Sequence, residues 1–434
     1  MKNKMLLFCS ILSASLCFAQ ISGNGMLVLL CLGAFICLIC FATVHNYELP
    51  VLLFFLPWTV LLRLSPDSIS FYTLALLLVS VISVVWNKFY MKNYYIGITL
   101  LLVVLTLLSK LISGYKPANS YIMFIAMLAL YPMLDLEKRK YDFGDLNIFF
   151  SFGIIIAALT AQQFSDYPNI AKYIVVDSYL SITRRCGYYG DPNFYTAQIT
   201  AAIAGCMLLI SNDRRDRSAV VLFLMLGLLV YCGFMSGSKS FALITALLVI
   251  LWIAEILVMR GKITKKAELL VSLFALAAYV FTSSLFREQI NVILTRFSWA
   301  DNASEFTTGR TELWRNYLTA ILNDVKLLFL GQGFTNVMIY TRASHNSAIQ
   351  LLYQFGVFGS VLLIAWFLGY YYDIVGVWRI KNPKITRIFM ILAGTFLPWM
   401  AIDILFFDEL FLLSTYAFLG VRELAAEESV RTTT

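Results

Sequence analysis

Residues 287–346 read REQINVILTRFSWADNASEFTTGRTELWRNYLTAILNDVKLLFLGQGFTNVMIYTRASHN. This is the only long polar interval in a chain that is otherwise almost continuously apolar. It carries Arg287, Arg296, Arg310, Arg315 and Arg342, and it closes on Ser344-His345-Asn346, where the next apolar segment begins. Placed between hydrophobic segments, it reads as an extracytoplasmic loop that forms most of a site at a membrane surface.

The rest of the chain supports that setting. Of 434 residues, 60% are hydrophobic and 13% charged, with a mean hydropathy of +0.79. Soluble domains have about 45–50% apolar and about 25% charged residues. The fold class expected is therefore an all-α polytopic membrane protein, a single membrane domain over residues 1–434. The net charge of +8 does not point to nucleic acid, because the basic residues lie in short loops between apolar runs, where membrane orientation accounts for most of them. Seven of the eight cysteines lie in or beside apolar segments and only Cys186 is in a polar loop. Neither a disulfide framework nor a metal site is expected, and no cofactor is implied.

A span needs about 20 mostly apolar residues. Fourteen segments qualify, near 5–20, 26–44, 48–63, 69–86, 94–113, 120–134, 146–163, 192–211, 218–234, 240–259, 267–286, 346–371, 386–401 and 407–421. Short segments and an ambiguous closing pair give a range of 12–14 transmembrane helices. The first carries Lys2 and Lys4 before its apolar run and Cys17-Phe18-Ala19-Gln20 after it, so residues 1–19 read equally as a signal peptide or a first helix.

Orientation follows from the basic loops. Lys88 and Lys92, then Lys138-Arg139-Lys140, Arg214, Arg215 and Arg217 fall on one side. So do Arg260, Lys262, Lys265 and Lys266, and later Arg379, Lys381, Lys384 and Arg387. That side is the cytoplasm. Two long loops, 164–191 and 287–345, then face outward, and their arginines violate the positive-inside trend. An anionic ligand is one reason to keep cations there; pairing with Asp166, Asp177, Asp191, Asp301, Glu305 and Glu312 is the simpler one. Arginine outnumbers lysine in both loops, which suits bidentate phosphate contacts.

Within the later loop, Leu313, Trp314, Tyr317, Leu318, Ile321, Leu322 and Val325 recur at helical spacing. They predict an amphipathic helix over 310–325 with Arg310 in its first turn. In the earlier loop, Arg184-Arg185-Cys186-Gly187 runs into Asp191-Pro192-Asn193. Asp191 suits an N-cap and Pro192 the first helical position, so a helix points its positive end outward. Helix capping explains Asp-Pro but not the arginine pair. His345 is one of two histidines and lies at a helix mouth, where it could take a proton from a hydroxyl; a structural role is the commoner one for a lone histidine. His45 lies in a short turn and reads as incidental.

Taken in order, Arg184-x-x-Gly187 with Asp191-Pro192-Asn193, Gly237-Ser238-Lys239-Ser240, Thr308-Gly309-Arg310 with Trp314, Gly331-Gln332-Gly333-Phe334, and His345-Asn346 with Gly356-x-x-Gly359 resemble the O-antigen ligase and polymerase superfamily. The resemblance covers about residues 145–420. It departs at Ser238-Lys239-Ser240, where many relatives have Ser-Arg-Gly. It implies a bacterial inner-membrane enzyme acting on undecaprenyl-pyrophosphate-linked glycan at the outer face, with the lipid bilayer as its setting and a flippase and a chain-length regulator as associates. Arg184 and Arg310 would bind the donor pyrophosphate without a metal, and His345 would deprotonate or orient the acceptor hydroxyl. Arg185, Lys239, Asn193, Arg315 and Asn346 complete the substrate-binding set. The activity implied is polymerisation of repeat units for O-antigen, capsule or exopolysaccharide. The alternative is a ligase that moves finished glycan to lipid A core or another acceptor. A secondary transporter is the reading from another class.

Overall fold

A computed structural model of the protein describes residues 2–65, 68–87, 92–114, 121, 124–125, 127–128, 141–171, 178–179, 182–189, 191–211, 219–258, 263–298, 307, 309–335, 338–339, 342–376, 384–402 and 409–431. Much of the 120–134 segment lies outside them. So do Lys88, Lys138-Arg139-Lys140, Arg214, Arg215, Arg217, Arg260, Lys262, Arg379 and Lys381 of the orienting loops, and Gly190 and Thr308 of the motifs.

Among the described residues the α-helices of six or more residues, in chain order, are α1 (Lys2–Ser22), α2 (Gly25–Val44), α3 (Glu48–Phe55), α4 (Phe71–Asn87), α5 (Asn93–Ser113), α6 (Phe143–Gln163), α7 (Pro192–Ser211), α8 (Ala219–Met235), α9 (Lys239–Val258), α10 (Ile263–Thr282), α11 (Ser284–Ser298), α12 (Arg310–Asn323), α13 (Val325–Leu330), α14 (Ser347–Val375), α15 (Ile385–Phe396) and α16 (Leu412–Arg431). Among the described residues the only strands are two-residue pieces, Ser178–Tyr179 paired with Ile182–Thr183.

Among the described residues, seven helices, α1, α2, α5, α6, α7, α9 and α14, are long and apolar enough to cross a bilayer, or eight if α10 and α11 form one span bent by 77°. Four shorter apolar helices accompany them, at Glu48–Trp58, Phe71–Trp86, Ala219–Met235 and Ile385–Met400. Many large apolar side chains face outward, Leu100, Leu111, Val271 and Ile364 among them. An apolar exterior on this scale has no place in water. The architecture is that of an all-α, multi-pass membrane protein. α1 packs as part of the bundle: Met5, Cys9, Leu12 and Leu16 are buried, and the Gln20 amide donates to the carbonyls of Leu61 and Arg63.

α7 is the central helix and packs against α6, α8, α9, α15 and α16. Ala197, Ala201, Ala202 and Ala204 are fully buried, and such small side chains let neighbouring helices approach closely. A buried carboxylate joins two of those neighbours. Glu255 of α9 accepts from Arg387 Nε of α15 at 2.5 Å, and the Thr386 hydroxyl donates to it as well. Arg387, which belongs by sequence to a basic loop, is thus a buried ion-pair partner.

The long polar interval is helical beyond the expected 310–325 helix. Its first part, through Ser298, is helical, because Phe286, Gln289, Ile293 and Arg296 recur at three- to four-residue spacing and are buried together on one face of α11. The interval therefore holds a second amphipathic helix besides α12.

The Gly-x-Gly and Gly-x-x-Gly motifs meet at a break inside α14. Gly356 has φ +60° within that helix, and the freed carbonyls of Tyr353 and Gln354 accept from Gln332 N at 2.8 Å and Gly333 N at 2.9 Å. A Cβ on Gly356 would fall 2.5 Å from the Phe329 carbonyl, and one on Gly331 against that of Gln354. The two glycines let the loop plug the break and pair the carbonyls of Tyr353 and Gln354. That contact fixes α13 to α14 and, through α12, the polar side of the site.

Candidate active site

A cavity of about 600 Å³ opens at the end of the bundle where α7, α9 and α12 begin. Pro192, Lys239 and Arg310, the first residues of those three helices, all line it. Each helix presents its positive dipole end there. Among the described residues, five cationic side chains line the cavity, Arg184, Lys239, Arg296, Arg310 and Arg342, against one carboxylate, Asp191. That carboxylate is already engaged. Asp191 Oδ1 accepts from Asn193 N at 2.7 Å and Phe194 N at 3.2 Å, as the N-cap of α7. Cations at helix N-termini are unfavourable without a compensating anion.

The turn between α8 and α9 organises the wall. Arg184 Nε donates to Ser236 O at 2.9 Å, and Arg296 Nη1 donates to Gly237 O. Both guanidinium groups belong to buried residues, 6% and 8% exposed, and still line the cavity. Asn193 Oδ1 accepts from the hydroxyls of Ser238 at 3.2 Å and Ser240 at 3.1 Å, which ties the start of α7 to the same turn. Lys239 Nζ lies 5.5 Å from the Phe297 ring centroid, a cation–π distance.

His345 comes from the opposite wall. Trp314 Nε1 donates to Ser344 O at 3.0 Å, and Tyr317 Oη donates to Arg342 O at 2.6 Å, so α12 holds the 342–345 segment. Gln350 Oε1 accepts from Ser344 N at 3.1 Å, and the Ser344 hydroxyl donates to Asn346 O at 2.9 Å. His345 takes φ +50° in this turn. A non-glycine residue in that region persists only where surrounding contacts over-determine it.

Of the residues singled out by sequence, Arg184, Asn193, Lys239, Arg310 and His345 come together in this cavity. Three do not. Arg185 follows Arg184 in non-helical backbone, and it lines a second cavity of about 310 Å³ with Asp166, Tyr195 and Tyr231. Arg315 is exposed on α12, away from both cavities. Asn346 is buried, and its Oδ1 accepts from Ala348 N and Ile349 N as the N-cap of α14. His45 lies elsewhere, with Nδ1 2.8 Å from Phe41 O. Sequence reasoning passed over Arg296 and Arg342 as site residues. The signal for Arg296 was the periodicity of α11; for Arg342, only its nearness to His345.

Among the described residues no group of three His, Cys, Asp or Glu side chains is placed to hold a metal ion. Compared with known proteins, the chain matches no family model, and no curated protein is significantly similar to it.

Proposed function

We propose that this protein is a membrane glycosyltransferase that polymerises undecaprenyl-pyrophosphate-linked oligosaccharide units for O-antigen, capsule or exopolysaccharide. In this reading the shorter apolar helices also cross the bilayer, giving 12–14 spans. The cavity opens on the extracytoplasmic side of the bacterial inner membrane, where the 164–191 and 287–345 loops meet.

The observation that carries the proposal is the convergence of Arg184, Lys239, Arg296, Arg310 and Arg342 with His345 in one cavity at the end of an apolar bundle. Like charges lining one cavity repel, and a bound anion of matching charge density offsets that repulsion. A pyrophosphate fits. Guanidinium forks bind its oxygens bidentately, and the same contacts strengthen as charge develops on the leaving pyrophosphate. The bond broken joins the anomeric carbon to the pyrophosphate oxygen, and the bond formed joins that carbon to the acceptor hydroxyl oxygen. His345 takes the hydroxyl proton, and lipid pyrophosphate leaves.

The test is purified protein in bilayers with lipid-pyrophosphate repeat units. Growth into a ladder of multimers supports polymerisation. Transfer of preformed polymer to lipid A core, with no ladder, would replace it with ligation. Neither product, with donor unchanged, would sink the enzyme reading.

A further inference from the structure

Two of the seven long apolar helices supply residues to the cationic cavity, and only one of them has a face outside the protein. α7 contributes Pro192 and Asn193 and is 94% buried along its apolar window; α9 contributes Lys239, Ser240 and Leu243 and is 39% buried. Leu243 belongs to both settings, since it lines the cavity and is 51% exposed. Below it on α9, Leu247, Ile250 and Leu257 are also exposed. Steps of four, three and seven residues keep these side chains on one face of a helix. Fourteen residues at helical rise make a stripe about 21 Å long, most of a bilayer core. The opposite face of α9 carries buried Phe241, Leu248, Trp252 and Glu255.

The outward faces of the other long apolar helices do not reach the cavity. The exposed face of α14 begins at Phe358, beyond the break at Gly356, and none of its residues lines the cavity. On α6, Leu159 lines the second cavity. α5 contributes nothing to either.

We infer that the hydrocarbon chain of the ligand runs along the Leu243–Leu257 stripe of α9 while its charged head occupies the cavity. This rests on the reading of the cavity as a lipid-pyrophosphate site and adds the route by which that lipid enters and leaves. The stripe contributes little hydrophobic affinity, because lipid tails already solvate the chain. What α9 provides is a continuous apolar path from the cavity to the bilayer. The expected effect is therefore one of position and of steric gating.

The full chain in lipid nanodiscs, with p-benzoylphenylalanine in place of Leu247, Ile250, Phe358 or Leu100, is irradiated with tritiated undecaprenyl pyrophosphate that carries no sugar. Filter binding of the same probe is measured for the unsubstituted chain and for Arg310→Ala. The expected result is labelling at Leu247 and Ile250 at least fivefold above Phe358 and Leu100, together with probe binding lost in Arg310→Ala. Leu243→Trp should weaken binding of the lipid probe tenfold or more and leave binding of inorganic pyrophosphate unchanged. Arg310-dependent binding with equal labelling at all four positions would overturn the α9 route and leave the cavity reading intact. Binding that survives Arg310→Ala would overturn both.

Discussion

Arg184 and Arg296 are held by consecutive carbonyls of one turn, Ser236 O and Gly237 O. The turn follows the C-terminal end of α8, where negative partial charge suits cations. Each guanidinium carries five N–H donors in a fixed fork, one of which donates to the turn. A lysine could hold the carbonyl or reach the ligand, but it lacks the fork to do both. Arg184→Lys and Arg296→Lys should each lower glycan transfer about 10- to 100-fold, the equivalent of one charge-assisted hydrogen bond of about 1.5–3 kcal/mol. The purified variants should stay monodisperse in detergent. Wild-type turnover in both would remove the pyrophosphate clamp.

The Gly331–Gly356 contact predicts a fold defect and not a chemical one. Gly356→Ala introduces a Cβ at φ +60°, 2.5 Å from backbone atoms of Phe329 that have nowhere to move. With ψ at −169°, this backbone lies in a region open essentially to glycine alone, and holding another residue there costs about 1–3 kcal/mol. The melting temperature in detergent should fall clearly for Gly356→Ala and for Gly331→Ala. The double variant should fall by less than the two effects added, because both changes break one contact. Full additivity would mean that the glycines act independently.

These elements also mark what could be read in advance. The N-cap of α7 was legible, since Asp-Pro before an apolar run has one common structural meaning. Asn346 carries the same kind of signal before α14, yet a functional reading of Ser344-His345-Asn346 masked it. α11 was not legible as a helix because Arg287, Glu288, Gln289 and Asn291 lower its mean hydropathy, and only the spacing of Phe286, Ile293 and Arg296 reveals its buried face. The division of Arg184 from Arg185 depends on the local path of one non-helical segment, which identical neighbouring residue types cannot disclose.

At the other end of α9, the ion pair of Glu255 with Arg387 is 1% and 5% exposed. Glu255→Gln leaves a buried guanidinium without its counter-charge and should destabilise the protein by about 3–5 kcal/mol. Replacing both partners by apolar residues, as in Glu255→Leu with Arg387→Met, should restore most of that loss. Thermal unfolding in detergent gives the comparison. A double variant less stable than Glu255→Gln would contradict the account.

Orientation is open to a direct check. Ser298 is exposed at the end of α11, two residues beyond Arg296 of the cavity. A Ser298→Cys variant should react with an impermeant thiol reagent in intact cells whose outer membrane has been permeabilised. Labelling that needs lysis of the inner membrane would place the cavity on the cytoplasmic side, and the lipid-linked donor would then be the wrong substrate.

His345 is the residue on which the proposed chemistry turns. It lines the cavity with the arginines, and contacts from Trp314, Tyr317 and Gln350 fix the turn that presents it. Its φ of +50° complicates the usual alanine test, because alanine would strain the backbone as well as remove the ring. Asparagine is among the residues that tolerate this conformation best, so His345→Asn removes the proton acceptor and keeps the turn. If the ring acts as a general base, turnover should drop about 10²–10⁴-fold. Binding of undecaprenyl pyrophosphate should stay within twofold, because in the proposed site the donor is assigned to the arginines. His345→Gly, which also accepts positive φ, should match His345→Asn in rate. If His345 only shapes the loop, His345→Asn will keep near-wild-type turnover while bulkier replacements lose it. Loss of donor binding in His345→Asn would instead move the ring into the pyrophosphate subsite and overturn its assignment to the acceptor.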